Sequence, residues 1–292
     1  TSHGSQIIDG MTGLYAWKGN TYAWNDGGLN SALDIQDYGI TGGSDLGAPD
    51  WTSWAESTRI YLSNPANSNI NVVMWAWCGQ VSDATESNIN TYLNLMTSLE
   101  NEFPKVRFVY MTGHLDGTGI SGTLNTRNIQ IRNYCKNNNK VLYDFADIES
   151  YDPDGNYYLD KLANDACDYD SNGDAVPDKN WATDWQNTHI VNVDWYNCTS
   201  AHSQPLNANR KAYAAWWMFA RLAGWTGPSV YIPISGITVT GAGDATAITK
   251  DKGTLQLSAL ITPSNATNTT VTWSISNITG QATISPAGLV TA

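Results

Sequence analysis

The residues whose types could do covalent chemistry are a serine near the start of the chain and a histidine much further along. Ser5 stands in Ser2-His3-Gly4-Ser5-Gln6, and the apolar residues Ile7, Ile8, Met11 and Leu14 that follow predict a helix beginning just after it. A serine at such a place caps the helix. Alternatively it attacks a carbonyl, using the same N–H groups and helix dipole to hold the oxyanion. His202, in Ser200-Ala201-His202-Ser203-Gln204, lies in a loop before a last predicted helix over 206–222. The chain has 4 histidines, so few groups can act as a general base near neutral pH. A serine, an imidazole to take its proton and oxyanion donors make an acyl-transfer site, while a local hydrogen-bonding role is the plainer reading of a loop histidine.

Other groups offer different chemistry. His114 and Asp116 follow a predicted buried strand, where they would bind substrate or form an alternative acid–base pair; Asp116-Gly117 also reads as a simple turn. The run from Asp168 to Asp174 has the spacing of a calcium-loop start, with Asp168, Asp170, Asn172, Asp174 and Asp178 as oxygen donors and Lys179 where such a loop ends in Glu. Calcium there would be structural, since the acyl-transfer chemistry needs no metal, and a solvated acidic turn is the alternative. Cys78, Cys135, Cys167 and Cys198 are not spaced as a zinc site. With an acidic, lysine-poor composition they suggest a secreted protein with one or two disulfides. Three full pairings are open, and a Cys167–Cys198 bridge would pin the acidic segment near His202.

These residues need a framework, and the composition bounds it. The chain has 292 residues, of which 41% are hydrophobic and 14% charged, which excludes a disordered chain and a coiled coil. A net charge of −12 with only 15 Lys+Arg offers no basic face for nucleic acid and no adhesion to anionic membranes. No apolar run is long enough to span a membrane, and the polar opening Thr1-Ser2-His3 is not a signal peptide, which is expected to have been cleaved or to lie outside this sequence. There are 13 Trp and 15 Tyr against 4 Phe, a balance that suits either stacking on sugar rings or a Trp-rich core. Trp77 and Trp195 are the aromatic substrate contacts expected beside His114 and Asp116. Trp17, Trp24, Trp51, Trp181 and Trp185 are further loop aromatics.

Up to about residue 227 the pattern alternates strand and helix. Apolar runs at 71–77, 106–111 and 141–145 read as strands buried on both faces, separated by helical spacing such as Ile89, Tyr92, Leu93, Met96 and Leu99. This order predicts an α/β domain over 1–227 with a mostly parallel sheet between helices. Ligands of such sheets bind beyond the carboxyl ends of the strands, which points at 78–80, 112–116 and 144–149. The last helix is expected to bury Tyr213, Trp216, Trp217 and Ala220. Residues 150–199 break the alternation. Beyond the linker at 224–229, short Thr/Val/Ile runs at 237–240, 255–260 and 271–275 predict a small β-sandwich over 228–292.

The early serine at a helix start, the late loop histidine before a terminal helix, and the glycine- and amide-bearing loops between them resemble the SGNH (GDSL-type) hydrolases over roughly residues 1–225. The resemblance implies a three-layer α/β/α, flavodoxin-like fold and ester hydrolysis. It makes Ser5 the nucleophile and His202 the general base, with Gly43, Gln80 and the Ser5 N–H holding the oxyanion. The sequence departs from the family in several places. His3-Gly4-Ser5 replaces Gly-Asp-Ser, as in divergent members with a His-x-Ser pattern, and Gln80 replaces an Asn. Thr199 occupies the place of the family's acid, leaving Asp194 as the nearest upstream carboxylate. The strand expected before the serine is not in this sequence, which reads as a fragment of a longer protein.

The tail, with Ile237-Thr238-Val239-Thr240, Val271-Thr272-Trp273-Ser274 and a final Gly288-Leu289-Val290-Thr291-Ala292, resembles bacterial Ig-like domains of group 2, with its last strands cut short. Such modules are spacers or adhesive units of extracellular proteins. Together these resemblances imply a secreted or cell-surface carbohydrate-directed ester hydrolase that needs no catalytic cofactor. A glycan would be its substrate, and self-association or surface attachment would run through the Ig-like part, without nucleic acid and without membrane insertion. The alternatives are a non-catalytic glycan-binding or adhesive protein on the same scaffold, and a lyase or glycosidase using His114 with rim carboxylates.

Overall fold

A computed structural model describes residues 2–40, 47–48, 50–227, 232–278 and 280–292. The chain divides into two compact units, Thr1–Gly224 and Trp225–Ala292.

The first unit opens with helix α1 (Ser2–Lys18), then a short parallel pair, β1 (Trp24–Asn25) and β2 (Leu33–Asp34). Helix α2 (Ser53–Ser63) leads to β3 (Val72–Met74). Helix α3 (Glu86–Glu102) starts at a Thr85/Asn88 capping box and leads to β4 (Arg107–Met111). Helix α4 (Thr123–Asn137), β5 (Val141–Tyr143) and the short α5 (Phe145–Glu149) follow. Strands β3, β4 and β5 form a parallel sheet in that order, with Val73 opposite Phe108 and Tyr110 opposite Leu142. Beyond it lie the small antiparallel pair β6 (Asp168–Tyr169) and β7 (Lys179–Asn180), then helices α6 (Trp181–Thr188) and α7 (Pro205–Leu222).

The central strand shows why helices cover both faces. Successive β4 side chains point to opposite sides. Phe108 and Tyr110 join the core with Trp54, Tyr92, Leu99 and Ile131 of α2, α3 and α4. Val109 and Met111 join the core with Ile7 and Met11 of α1 and Ala212, Ala215 and Met218 of α7. Strand β3 departs from the sequence expectation: its apolar run is strand only over 72–74 and is half-buried, and among the described residues it pairs on one side only, with β4.

Three further expectations are corrected. Helix α1 begins at Ser2, so Ser5 lies within it and is not at its start. Polar side chains of its first two turns are engaged there, His3 with Asp165 and Gln6 with the Ala201 carbonyl. Helix α7 buries Ala208, Ala212, Ala215 and Met218, leaving Tyr213 and Trp217 exposed. It packs on α1 through small residues, so its bulky aromatics cannot occupy the close-contact face. The proposed Cys167–Cys198 bridge is absent, and all four cysteines are free thiols. Each sulfur has its own neighbours: Cys167 Sγ lies 3.4 Å from Ser203 Oγ, and Cys198 Sγ lies against the Pro205 carbonyl and the Asn209 amide. Burial pushes both thiols up to about 12.

The second unit is an antiparallel sheet of β8 (Gly236–Gly241), β9 (Thr254–Thr262), β10 (Thr283–Ile284) and β11 (Leu289–Thr291), in the order β10-β11-β9-β8. The burial of β9 alternates with period two, as its sequence predicts. The predicted strand at 271–275 joins no ladder, and the described strands make one sheet instead of two facing ones.

The α1–α7 contact sets a testable limit. A Cβ on Gly10 would fall 2.0 Å from the Ala208 carbonyl oxygen and 3.1 Å from Ala212 Cβ. Gly10→Ala is therefore expected to lower the stability of the first unit by about 1–3 kcal/mol through overpacking. Urea unfolding should show a lower midpoint at unchanged slope.

Candidate functional site

The carboxyl ends of β4 and β5 converge on a buried charge network. Lys211 of α7 and Glu149 at the end of α5 are both fully buried, with Lys211 Nζ 2.6 Å from Glu149 Oε1. The other Glu149 oxygen accepts the Leu115 N–H at 2.7 Å, fixing the loop after β4. Lys211 also donates to Gln6 Oε1 of α1, and the Gln6 amide donates to the Ala201 carbonyl at 2.5 Å. Burial drives the Lys211 pKa down, and the Glu149 carboxylate opposes that shift. The ammonium sits 4.0 Å from the Phe145 ring centroid, adding a cation–π contact.

Three of the segments tied to this network carry a histidine, those of Gln6, Leu115 and Ala201. His3 of α1 and His114 after β4 stack face to face, centroids 3.7 Å apart and planes within 5°. The His202 ring lies 6.4 Å from His3, centroid to centroid. His202 itself is exposed, with left-handed backbone (φ 59°). Asp165 completes the cluster: its N–H donates to the Leu115 carbonyl, and its Oδ2 lies 3.0 Å from His3 Nε2.

These contacts set the tautomers. A carboxylate only accepts, so neutral His3 carries its proton on Nε2 and keeps the lone pair on Nδ1. That nitrogen is buried with no hydrogen-bond partner among the described residues. His114 Nδ1 faces its neighbour's carbonyl, that of Leu115, at 2.8 Å, so its lone pair is on Nε2. Burial lowers the His3 pKa, opposed by the bond to Asp165, and the nearby His114 lowers it further. Burial alone would raise the Asp165 carboxyl, but the His3 hydrogen bond with the nearby His114, His3 and Lys211 charges reverses this, and the net shift is down. The result is an oriented imidazole whose enclosed Nδ1 keeps its lone pair, one of the two conditions of general-base catalysis, the other being reach to a proton.

The residues singled out from sequence are only partly brought together. His114 belongs to the cluster and His202 borders it. Ser5 Oγ instead lies 3.2 Å from the Tyr38 hydroxyl, and no hydrogen bond joins Ser5 to His202 among the described residues. The two positions separating His3 from Ser5 turn the serine to another side of the helix. Asp194 accepts the Ile190 N–H and closes its own turn. Gln80 Oε1 accepts the Cys78 N–H within its own loop. Gly43 lies outside the described residues. Asp116 caps the Thr118 N–H and hydroxyl, as a turn residue does. Trp77 is packed in the core, edge-on to Tyr92 at 4.7 Å, with its N–H on the Met111 carbonyl. Trp195 donates to the His189 carbonyl at 3.3 Å.

Two places carry donors for a metal. Among the described residues His3, His114 and Asp165 are the one set of three or more His, Cys, Asp or Glu side chains whose donor atoms lie within 4.8 Å of one another. Stacked parallel rings, however, direct their lone pairs in parallel planes, so both cannot bind one ion at about 2.0–2.1 Å unless the stack opens. The geometry fits proton transfer better. In the acidic loop Asp168 is drawn to Asn180, while Asp170 accepts the N–H groups of Asn172, Gly173 and Ala175. Asp178 accepts from Ser171, and Asn172 and Asp174 each cap an N–H two residues on. These bonds hold the Asp170 and Asp178 carboxyls below their usual range. Asp170, Asn172, Asp174 and Asp178 remain hard oxygen donors of the type calcium takes, spaced around a left-handed turn at Ala175 (φ 66°).

The comparison with known proteins places only the C-terminal part. Residues 234–292 match the bacterial Ig-like domain (group 2) family. The antiparallel sheet of the second unit agrees with that match. No curated protein and no solved structure matches the chain.

Of the residues that build this cluster, His3 was one of the four histidines open as a general base and Glu149 closes the 144–149 segment beyond β5, whereas Asp165 and Lys211 were not singled out from sequence. Lys211 had a visible signal: it falls three residues after Ala208 and four before Ala215, on the buried face of α7. A lysine on a buried helical face needs a buried carboxylate. Lys211→Met, which leaves Glu149 uncompensated, is expected to cost about 3–5 kcal/mol in urea unfolding. Adding Glu149→Gln should recover part of that loss, because the amide oxygen still accepts the Leu115 N–H.

Proposed function

We propose that the chain is a carbohydrate-directed ester hydrolase, of the polysaccharide deacylase type, whose acid–base centre is the imidazole cluster at the carboxyl ends of β4 and β5. The observation that carries this reading is the 3.0 Å His3–Asp165 bond, which orients a buried imidazole and leaves Nδ1 as the base. In this scheme His3 takes the proton of the attacking oxygen. It returns that proton to the sugar alkoxide as the ester bond breaks. His114 and the exposed His202 flank the reacting carbonyl. Attack by water requires the His3–His114 stack to open, because Nδ1 is enclosed, and attack by Ser5 requires its hydroxyl to leave Tyr38 as well. A three-layer, SGNH-type architecture goes with the proposal, supported by helices on both faces of the parallel sheet. Secretion or cell-surface display is supported by the Ig-like match. Calcium in the acidic loop is proposed as a structural ion only.

A second reading, a non-catalytic glycan binder, is favoured by the missing Ser5–His202 bond. Turnover of p-nitrophenyl acetate and acetylated polysaccharides separates the two. On the hydrolase reading, His3→Ala lowers kcat/KM by about 10²–10⁴-fold with an unchanged circular dichroism spectrum. A folded wild type that binds glycans without turnover supports the second reading.

The pH profile gives an independent check. His3 must be neutral to act as base and its pKa is lowered by burial, so the acid limb should lie below about pH 6.5, the free-imidazole value. Asp165→Asn removes the carboxylate charge that holds that pKa up and leaves only a weaker amide acceptor for Nε2. It should therefore move the limb further to acid while lowering the rate. For the calcium proposal, thermal melting in millimolar Ca²⁺ should exceed that in EDTA, and Asp174→Ala should abolish the difference.

A further inference from the structure

We propose that Lys211 and Gln6 react to form an intramolecular amide bond that cross-links α7 to α1, with loss of ammonia inside the folded first unit. The side chains stand as the reactants of that step. Lys211 Nζ donates to Gln6 Oε1, so the amine sits beside the carbon bonded to that oxygen. The Gln6 Nε2 donates to the Ala201 carbonyl at 2.5 Å, which keeps the carboxamide oxygen turned toward Lys211 and its nitrogen turned away. On its other side Nζ lies 2.6 Å from Glu149 Oε1. Gln6, Glu149 and Lys211 are all fully buried, so bulk water does not compete as a nucleophile. The Phe145 ring, 4.0 Å from Nζ, adds an apolar wall.

An ion pair alone needs one carboxylate for one ammonium, and Glu149 supplies it. The carboxamide is a further group, a neutral acyl carbon held against an amine. The Glu149 carboxylate is a poorer acyl acceptor because its negative charge repels the amine's electron pair, and it is placed instead as the base. Burial lowers the Lys211 pKa and so favours the free, nucleophilic amine. In the reaction, Glu149 takes one proton from the ammonium. The amine attacks Gln6 Cδ, and the C=O electron pair moves to Oε1. A second amine proton passes through the Glu149 carboxyl to Nε2. The C=O bond then re-forms, the Cδ–Nε2 bond breaks, and Nε2 leaves as ammonia. One proton stays on the new amide nitrogen and one on Glu149. Ammonium, carboxylate and carboxamide thus become a secondary amide, a carboxylic acid and ammonia, with no other reactant. Amides exchange slowly in water, but partners fixed in contact react as if at an effective concentration of about 10⁵–10⁸ M. The products also remove a buried ion pair, whose desolvation is costly. Glu149 Oε2 keeps the Leu115 N–H throughout. The bond joins residues 205 apart in sequence, near the two ends of the first unit.

This inference does not rest on the hydrolase reading: turnover tests that one, and chain mass tests this one. The experiment is intact-mass and tryptic-peptide mass spectrometry of the full chain after prolonged incubation at neutral pH, beside Lys211→Arg and Glu149→Gln. The expected wild-type mass is lower by one ammonia. Trypsin should fail to cut after Lys211 and should release peptide 1–18 joined to peptide 211–221. Lys211→Arg should keep its full mass. Glu149→Gln, checked for folding by circular dichroism, should cross-link about 10²–10⁴-fold more slowly. A wild-type chain that keeps its full mass would overturn the proposal whatever the variants do. Loss of water in place of ammonia, with Glu149 in the linked peptide, would overturn it by making Glu149 the acyl partner. Ammonia loss that maps to an asparagine, such as imide formation at Asn172-Gly173, would overturn it as well. A folded Glu149→Gln chain that cross-links at the wild-type rate would overturn the mechanism given to Glu149.

Discussion

The structure of the first unit turns on one buried ammonium. Lys211 has no exposure to water, so its charge is tolerable only while its partners stay in place. Those partners come from separate parts of the chain: Glu149 from α5, Gln6 from α1 and, through them, the Leu115 N–H and the Ala201 carbonyl. Displacing any one leaves a charge or a polar group unpaired in a medium where that is costly. The network therefore ties two helices and two loops to α7 with a directional constraint that apolar packing alone lacks.

The imidazole cluster inherits its geometry from that constraint. His3 is three residues before Gln6, His114 precedes Leu115, and His202 follows Ala201, so each ring is anchored through a neighbour of the ammonium network. Asp165 reaches the cluster because its backbone runs beside Leu115. Around this, Thr112 and Arg132 both bind Asp144, holding the ends of β4 and β5 in register. The close approach of Ala208 to Gly10 sets the separation of the two helices that carry His3 and Lys211. Side chains placed by a rigid buried network are preorganised, which is what the proposed proton transfer requires.

Much of the framework was legible in the chain. The 3.6-residue period of Ile89, Tyr92, Leu93, Met96 and Leu99 marks α3, and all five are buried. The run at 106–111 marks β4, and Leu206 to Leu222 falls within α7. The rule that ligands sit beyond strand carboxyl ends pointed at His114 and at the segment ending in Glu149. The misreadings share a cause. The phase of α7 was taken from its largest residues, but two helices in close contact bury their smallest. Ser5 and His202 were paired by residue type, whereas the turn of α1 sends His3 toward the cluster and Ser5 toward Tyr38. Cys167 and Cys198 were paired by their positions beside the acidic segment and His202, although each sulfur has its own polar neighbours.

The sequence by itself determined the two-part organisation, the strand–helix alternation, the Ig-like tail and the scarcity of possible bases. These are recorded in local periodicity and composition. Only the tertiary structure decided which histidine meets which carboxylate and where the charged pair is buried. His3 and Asp165 lie 162 residues apart and Gln6 and Lys211 lie 205 apart, and no local pattern couples residues at such distances. Their meeting follows from how the helices seat on the sheet, a matter of close packing and the pairing of buried charge.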